Sequence, residues 1–181
     1  MTNTEKFKSD DLVQRNGIYY KKFSNTPFSG IIMGNWGGFG FRIINGEFKD
    51  GMQHGIWELY DENGQLREYQ EFKLGKLCGM QFHYFESGAI SWKGNNVDGK
   101  MDGIWEWYGE DGVLRQATEY KDGVRDGSSI SYYIDGTLWD KGIYKDGKKD
   151  GLWEHYDEKG KLSLKRKWKN GKILEVVDLK A

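Results

Sequence analysis

Hydrophobic and polar residues between positions 48 and 73 fall into two short aromatic runs separated by polar, glycine-containing dipeptides. The runs Gly55 to Tyr60 and Gln65 to Lys73 are too short and too aromatic to favour helices, so both are predicted strands. Asp50-Gly51 and Asn63-Gly64 are predicted tight turns, because glycine adopts positive φ and Asp or Asn tolerates the left-handed region. The segment is therefore predicted to form one β-hairpin.

Strand alternation assigns the side chains of the first run to two faces. Ile56, Glu58 and Tyr60 point to one side of the predicted sheet, and Trp57 and Leu59 to the other. Both faces carry aromatic groups, so rings from adjacent hairpins are expected to stack on one another. Because sheets twist, a rolled sheet would bury the tyrosine side further, and the tyrosines are expected to have a structural role.

The same pattern returns every 24 residues. Three series carry this period without a break: Gly51, Gly75, Gly99, Gly123, Gly147 and Gly171; Tyr60, Tyr84, Tyr108, Tyr132 and Tyr156; and Leu66, Ile90, Leu114, Leu138 and Leu162. Fixed periods of this length are typical of repeat arrays, in which each unit is one small supersecondary element. The predicted fold is all-β, an elongated single-layer array of antiparallel β-hairpins with terminal caps.

The ends depart from the repeat and predict three parts of the chain. Residues 1–27 are predicted to form an N-terminal capping hairpin, with an Asn16-Gly17 turn between its strands. Residues 28–172 are predicted to hold the array of about six hairpins. Residues 173–181 are predicted to form a C-terminal capping strand whose charged end blunts the exposed edge of the sheet.

Composition narrows the classes of partner. The chain has 27 basic and 28 acidic side chains and a formal charge of −1, which gives no electrostatic reason to expect nucleic acid or an anionic membrane as a partner. Cys78 is its single cysteine, so neither an intramolecular disulfide nor a thiolate metal cluster is expected. We find neither a signal peptide nor an apolar run long enough to span a bilayer, and we predict a cytoplasmic protein without a cofactor.

No constellation of catalytic or metal-binding residues is predicted. Glu58, Glu106 and Glu154 share a register, but their 48-residue spacing would place them about 20 Å apart, too far for paired acid and base work. They are expected to be solvated or paired with Lys and Arg neighbours. The histidines are dispersed and lack the spacing of metal ligands. The chain is therefore predicted not to be an enzyme.

Two copies carry a family resemblance. Their sequences are VDGKMDGIWEWYGEDGVL, from Val97, and YKDGKKDGLWEHYDEKGKL, from Tyr144. They resemble the MORN-repeat variant common in bacterial proteins. The leader DLVQRNGIYYKKFSNTPFSG is similar to that of the YwqK-type antitoxin proteins. The resemblance implies an extended hairpin array with a non-enzymatic role in binding a protein partner, and it names toxin neutralisation as one such role.

Differences between the copies indicate a candidate binding face. Tryptophan occupies one position in alternate hairpins, while the intervening copies have Gln81 and Ser129 there. The candidates are these tryptophans and the differing residues on their side of the sheet: Trp57, Leu59, His83, Trp105, Trp107, Ser131, Trp153 and His155. Rigid aromatic groups are favoured at recognition surfaces, which predicts a partner-binding face. The alternative is that these residues fill the second face of the sheet.

Two other functions remain open at this stage. Open sheet edges would allow a structural scaffold or spacer that forms homo-oligomers by pairing its end strands. A groove in the rolled sheet would allow a small-ligand binder or an enzyme.

Overall fold

The structure is a computed structural model that describes residues 6–34 and 43–179. The chain divides into two compact units, residues 1–88 with 96–99, and residues 89–95 with 100–181. Both units are built almost entirely from β-strands; one 3-10 turn covers Ser9–Asp11. In the described part of the chain, no helix is long and apolar enough to cross a membrane. The predicted boundaries after residues 27 and 172 stay a prediction.

The described residues of the first unit form nine strands in two sheets. They are β1 (Lys6–Phe7), β2 (Leu12–Arg15), β3 (Ile18–Lys21), β4 (Gly30–Gly34), β5 (Ile43–Lys49), β6 (Met52–Tyr60), β7 (Leu66–Lys73), β8 (Lys76–Leu77) and β9 (Gly79–Tyr84). The larger sheet has the order β1-β4-β5-β6-β7-β9, with β8 also paired to β7. The β1–β4 pair is parallel, and the following pairs are antiparallel. Strands β2 and β3 form a separate antiparallel hairpin.

As far as the structure describes it, the second unit is a single sheet of eight strands. They are β10 (Ile90–Val97), β11 (Lys100–Tyr108), β12 (Leu114–Lys121), β13 (Val124–Tyr132), β14 (Leu138–Lys145), β15 (Lys148–Tyr156), β16 (Leu162–Lys169) and β17 (Lys172–Asp178). Neighbours in sequence are neighbours in the sheet, and every pair from β11 onward is antiparallel. The prediction of antiparallel hairpins at the 24-residue period is confirmed.

Two kinds of turn join the strands. At Asp50-Gly51 both residues are left-handed, with φ of 52° and 75°, the conformation that two-residue hairpin turns require. The second kind of turn occurs at Asn63-Gly64. It differs from the prediction, because only Gly64 has positive φ. There the Asp61 carboxylate accepts the backbone amides of Asn63 and Gln65, at 2.9 and 3.0 Å, so a side-chain cap replaces the second left-handed residue.

The core of the first unit lies between its two sheets. It is a cluster of Leu12, Phe28, Ile32, Phe48, Trp57 and Leu59, with Phe7, Tyr19 and Phe72 packed against it. The rings of Tyr19 and Phe48 lie 4.7 Å apart, and those of Phe48 and Trp57 5.1 Å apart, edge to face. The hairpin β2–β3 thus covers the side of the larger sheet that carries Trp57.

The second unit has no second layer in its described residues, yet Trp105 and Trp153 are buried. Trp92 stacks on Trp105 with ring centroids 5.5 Å apart, and Tyr144 meets Trp153 edge to face at 5.2 Å. Among the described residues the buried apolar side chains include these tryptophans, whereas the repeated tyrosines are only half-buried. Of the two faces, the tryptophan side is therefore the one with the more deeply buried rings among the described residues.

Candidate functional site

Each of the three repeated tryptophans lies over a glycine in the preceding strand. The pairs are Gly46 with Trp57, Gly94 with Trp105, and Gly142 with Trp153, always 11 residues apart. A Cβ on any of these glycines would overlap the indole ring, so only glycine permits this approach. The three Nε1 groups donate to the carbonyl oxygens of Glu47, Asn95 and Ile143 at 3.0 to 3.1 Å. Each indole is therefore fully satisfied within the sheet.

Four of the eight predicted binding residues lie in the interior. Trp57, Trp105 and Trp153 are 3, 5 and 2% exposed, and Leu59 is buried in the core of the first unit. Side chains this deeply buried offer no surface to a partner. The alternative interpretation, that they fill a face of the sheet, accounts for them, since the glycine in the preceding strand lets the ring settle onto the backbone.

The intervening copies replace tryptophan and glycine with a polar pair. Ser129 stands where Trp105 and Trp153 stand, and Thr118 stands at the glycine position before it. Both side chains are buried, and their hydroxyl groups share a hydrogen bond of 2.9 Å. Odd and even hairpins thus present different faces, which the sequence comparison of copies had predicted.

The other predicted residues of the second unit fall on one row that crosses the sheet. The register pairs Trp107 with Gln116, Gln116 with Ser131, Ser131 with Asp140, Asp140 with His155, and His155 with Leu164. We call these six residues the cross-strand row. Trp107, Ser131 and His155 were predicted from the sequence. Gln116, Asp140 and Leu164 were missed, although they share a 24-residue position on the second strand of each hairpin.

His83 has the equivalent position in the first unit. It pairs with Glu68, which in turn pairs with Leu59. Burial raises the pKa of Glu68 above its ordinary value. Burial and the neighbouring Arg67 guanidinium lower the pKa of His83. An acidic residue and a histidine are thus paired across strands in both units. No local sequence pattern indicates this pairing, because the two partners are 15 residues apart.

A charged cluster surrounds Asp140 in the second unit. The buried Asp140 carboxylate lies 3.8 Å from Nδ1 of His155 and 4.0 Å from Nζ of Lys149. The Lys149 ammonium also lies 3.6 Å from the ring centroid of Trp153, a cation–π contact. Burial lowers the pKa of His155, and the cationic Arg166 and Lys149 act in the same direction, while Asp140 opposes them. At neutral pH the imidazole is therefore uncharged.

A cavity of about 630 Å³ opens beside one end of the cross-strand row. It is lined among others by Tyr133, Trp139, His155, Ser163, Leu164 and Arg166. Its size falls within the range of small-molecule sites.

The opposite face carries the glutamates that share a register. Glu106 pairs with Lys93 at 3.1 Å, and Glu154 with Lys141 and Lys165, both at 3.2 Å. Glu58 accepts hydrogen bonds from Asn45 and from the Tyr60 hydroxyl. These carboxylates thus serve the packing of this face, and each is engaged by neighbours in its own unit. The described residues hold no cluster of His, Cys, Asp and Glu side chains that could bind a metal ion.

Comparison with known protein families gives one result. Residues 53–74, 101–122 and 149–170 match the family described as MORN repeat variant. Comparison with curated proteins found no match. The matched segments are 48 residues apart and contain Trp57, Trp105 and Trp153, so they coincide with the hairpins in which tryptophan packs on glycine. The chain is thus similar to MORN repeat variants in three alternate hairpins.

Proposed function

We propose that this chain is a non-catalytic module that binds another protein with the tryptophan side of its second unit. One observation carries the proposal. In the first unit the same side is covered by the hairpin β2–β3, whereas the described residues of the second unit contain no segment that covers it. The equivalent surface of the first unit thus packs against a folded polypeptide segment, and the surface of the second unit suits a folded polypeptide in the same way.

The chemistry of the cross-strand row suits such a partner. Trp107 supplies a large rigid ring, which lies 6.3 Å from that of Tyr120. Gln116, Ser131 and His155 supply groups that donate and accept hydrogen bonds. Interfaces combine aromatic anchors with a polar surround in this way, and tryptophan is enriched among the residues that dominate binding energy. The buried tryptophans hold the surface in shape rather than contact the partner.

The finer proposal concerns the biological role. The antitoxin-like leader and repeats make a cognate toxin a candidate partner, so the chain would act by covering the toxin. Co-expression with a toxic neighbouring gene tests this role directly. Growth rescue that depends on Trp107 would support it, and unchanged toxicity with a demonstrably folded module would contradict it.

Partner capture tests the binding face itself. We expect a tagged chain to retain a stoichiometric protein that the double variant Trp107→Ala/His155→Ala loses. The matched control is Ile104→Ala/Leu152→Ala, which trims two exposed side chains on the opposite face. Equal capture by all three folded proteins would overturn the assignment of this face.

A second candidate function is favoured by the last strand. Among the described residues β17 pairs only with β16, and it exposes Ile173, Leu174, Val176 and Val177 by 41 to 63%. An open, apolar edge strand is a template for pairing with another strand. The chain would then self-associate as a scaffold. Light scattering should show a dimer that Val176→Lys dissociates, and a concentration-independent monomer would contradict this function.

A further inference from the structure

One wall of the cavity in the second unit is a repeat position whose residue differs in size between hairpins. Arg115 and Trp139 occupy this position in two successive hairpins, and Ser163 occupies it in the next. The Ser163 hydroxyl donates to the carbonyl oxygen of His155 at 3.1 Å and is buried. A longer side chain at this position would occupy part of the cavity, whose volume is about 630 Å³.

Arg166 in the cavity wall lacks an anionic partner. It has no carboxylate within ion-pair distance among the described residues. Its positive charge contributes to the lowered pKa values of both Lys149 and His155. A ligand that supplied a carboxylate would give this guanidinium a partner for charge-assisted hydrogen bonds.

The carboxylates near the cavity are already engaged. Asp157 accepts the backbone amides of Lys159 and Lys161 at 3.0 and 2.9 Å and thereby holds the turn. Asp140 lies against both His155 and Lys149. Glu158 and Lys159 are exposed on the turn, where water screens their charges. Among the described residues, Arg166 is therefore the half-buried cation of this wall that lacks a carboxylate within ion-pair distance.

The rest of the wall is apolar and aromatic. Trp139 is 47% exposed and lies 6.2 Å from the ring of Tyr133. The Tyr133 hydroxyl donates to the carbonyl oxygen of Tyr156 at 2.9 Å, which fixes the ring. Leu164, from the cross-strand row, completes the apolar side. A ligand that fits must combine an acceptor group with an apolar body.

We propose that this cavity binds a carboxylate attached to an aromatic or aliphatic group, with the carboxylate held by Arg166 and the apolar part against Trp139 and Leu164. Arg pairs with carboxylates through two parallel hydrogen bonds, which makes it the residue suited to this task. The carboxylate belongs either to a free organic acid or to the carboxyl terminus of the partner protein. Only the second source rests on the proposed function.

Calorimetry with two small probes tests carboxylate binding. N-acetylphenylalanine should bind the intact chain, and its amide, which differs only at the carboxylate, should bind at least about tenfold more weakly. Arg166→Gln should weaken binding of the acid by about tenfold or more; glutamine is the residue that the chain carries at the equivalent position 70. Ser163→Arg, which restores the residue of position 115, should abolish binding by filling the cavity.

Lys167→Gln is the matched control, because it removes the same charge from an exposed neighbouring position. Its affinity for the acid should stay within about twofold of the original, since exposed charges contribute little. Equal binding of acid and amide, equal losses in Arg166→Gln and Lys167→Gln, undiminished binding by a folded Ser163→Arg variant, or no binding of the acid by the intact chain would each overturn the proposal.

A five-residue peptide that ends in phenylalanine distinguishes the two sources. Affinity equal to or above that of N-acetylphenylalanine assigns the cavity to a chain terminus, whereas affinity about tenfold lower assigns it to a free acid. Partner capture that survives Arg166→Gln would leave the proposed function intact and overturn only the assignment of the carboxylate to the partner. Capture lost in Trp107→Ala/His155→Ala and in Arg166→Gln would support both.

Discussion

The two units bury the same repeated tryptophan in different surroundings. In the first unit Trp57 lies under the β2–β3 hairpin, within a cluster of aromatic rings. In the second unit Trp105 and Trp153 reach the same degree of burial without a covering layer in their own unit. The comparison teaches that the glycine in the preceding strand, and not the cover, buries the indole. Cover by the β2–β3 hairpin is therefore a feature separate from the burial of the indole.

The largest expected effect is the loss of a buried indole. Trp153→Ala should lower the free energy of unfolding by about 3–5 kcal/mol, because the ring and its hydrogen bond to Ile143 are both lost. Urea denaturation measures it, with the half-buried Trp107→Ala as control. Trp57→Ala should cost a similar amount. A much larger loss at Trp57 than at Trp153 would show that the hairpin cover, rather than glycine packing, stabilises the ring.

Weakening the hairpin β2–β3, which covers the core of the first unit, should destabilise that unit alone. Leu12→Ala should cost about 2–3 kcal/mol, since Leu12 belongs to the hairpin and is buried against the core cluster. Hydrogen exchange followed residue by residue should show faster exchange in β5 and β6 and no change in β15 and β16. Faster exchange in both units would contradict the view that each is stabilised by its own contacts.

Replacing the Ser129 and Thr118 pair by a tryptophan and glycine pair tests whether the glycine is what allows the indole to pack onto the backbone. Ser129→Trp alone should cost about 1–3 kcal/mol, because the Cβ of Thr118 blocks the space into which the indole must settle. Adding Thr118→Gly recreates the tryptophan and glycine pair of the alternate hairpins and should recover most of that loss. Thr118→Gly by itself serves as the control. Additive losses in the double variant would refute a coupling between these two positions.

The smallest expected effect is on pH dependence. Burial lowers the pKa of His155, so the unfolded chain binds this proton more readily than the folded one. Stability is then complete above the ordinary histidine pKa and is lost as pH falls through the lowered folded value. Denaturation midpoints measured between neutral and mildly acidic pH should fall less steeply in His155→Gln. Parallel curves would mean that Asp140 compensates for burial.

Much of the fold could be predicted from local sequence. Strand composition and the 24-residue period predicted the hairpins. The Asp50-Gly51 dipeptide predicted its turn, because the backbone preferences of glycine and aspartate act within a few residues. The alternation of Trp105 with Ser129 was also visible as a difference between copies. The turn at Asn63-Gly64 was partly wrong, since the Asp61 side chain reaches back to the backbone.

The candidate site could be predicted only in part. Trp107, Ser131 and His155 were placed on one side by strand alternation, and the register puts them on one row. Alternation alone could not distinguish these half-buried residues from the buried Trp105 and Trp153. That distinction depends on Gly94 and Gly142, which lie on the neighbouring strand and allow the indole to pack onto the backbone.

The sequence by itself determined where the chain turns and which side chains share a face, because these properties follow from local backbone preference and from the twofold alternation of a strand. The tertiary structure decided which face is buried, that the hairpin β2–β3 covers the first unit, and that His155 meets Asp140 beside a cavity next to Arg166. These outcomes depend on register and packing between strands, which bring together residues whose mutual distance no local pattern encodes.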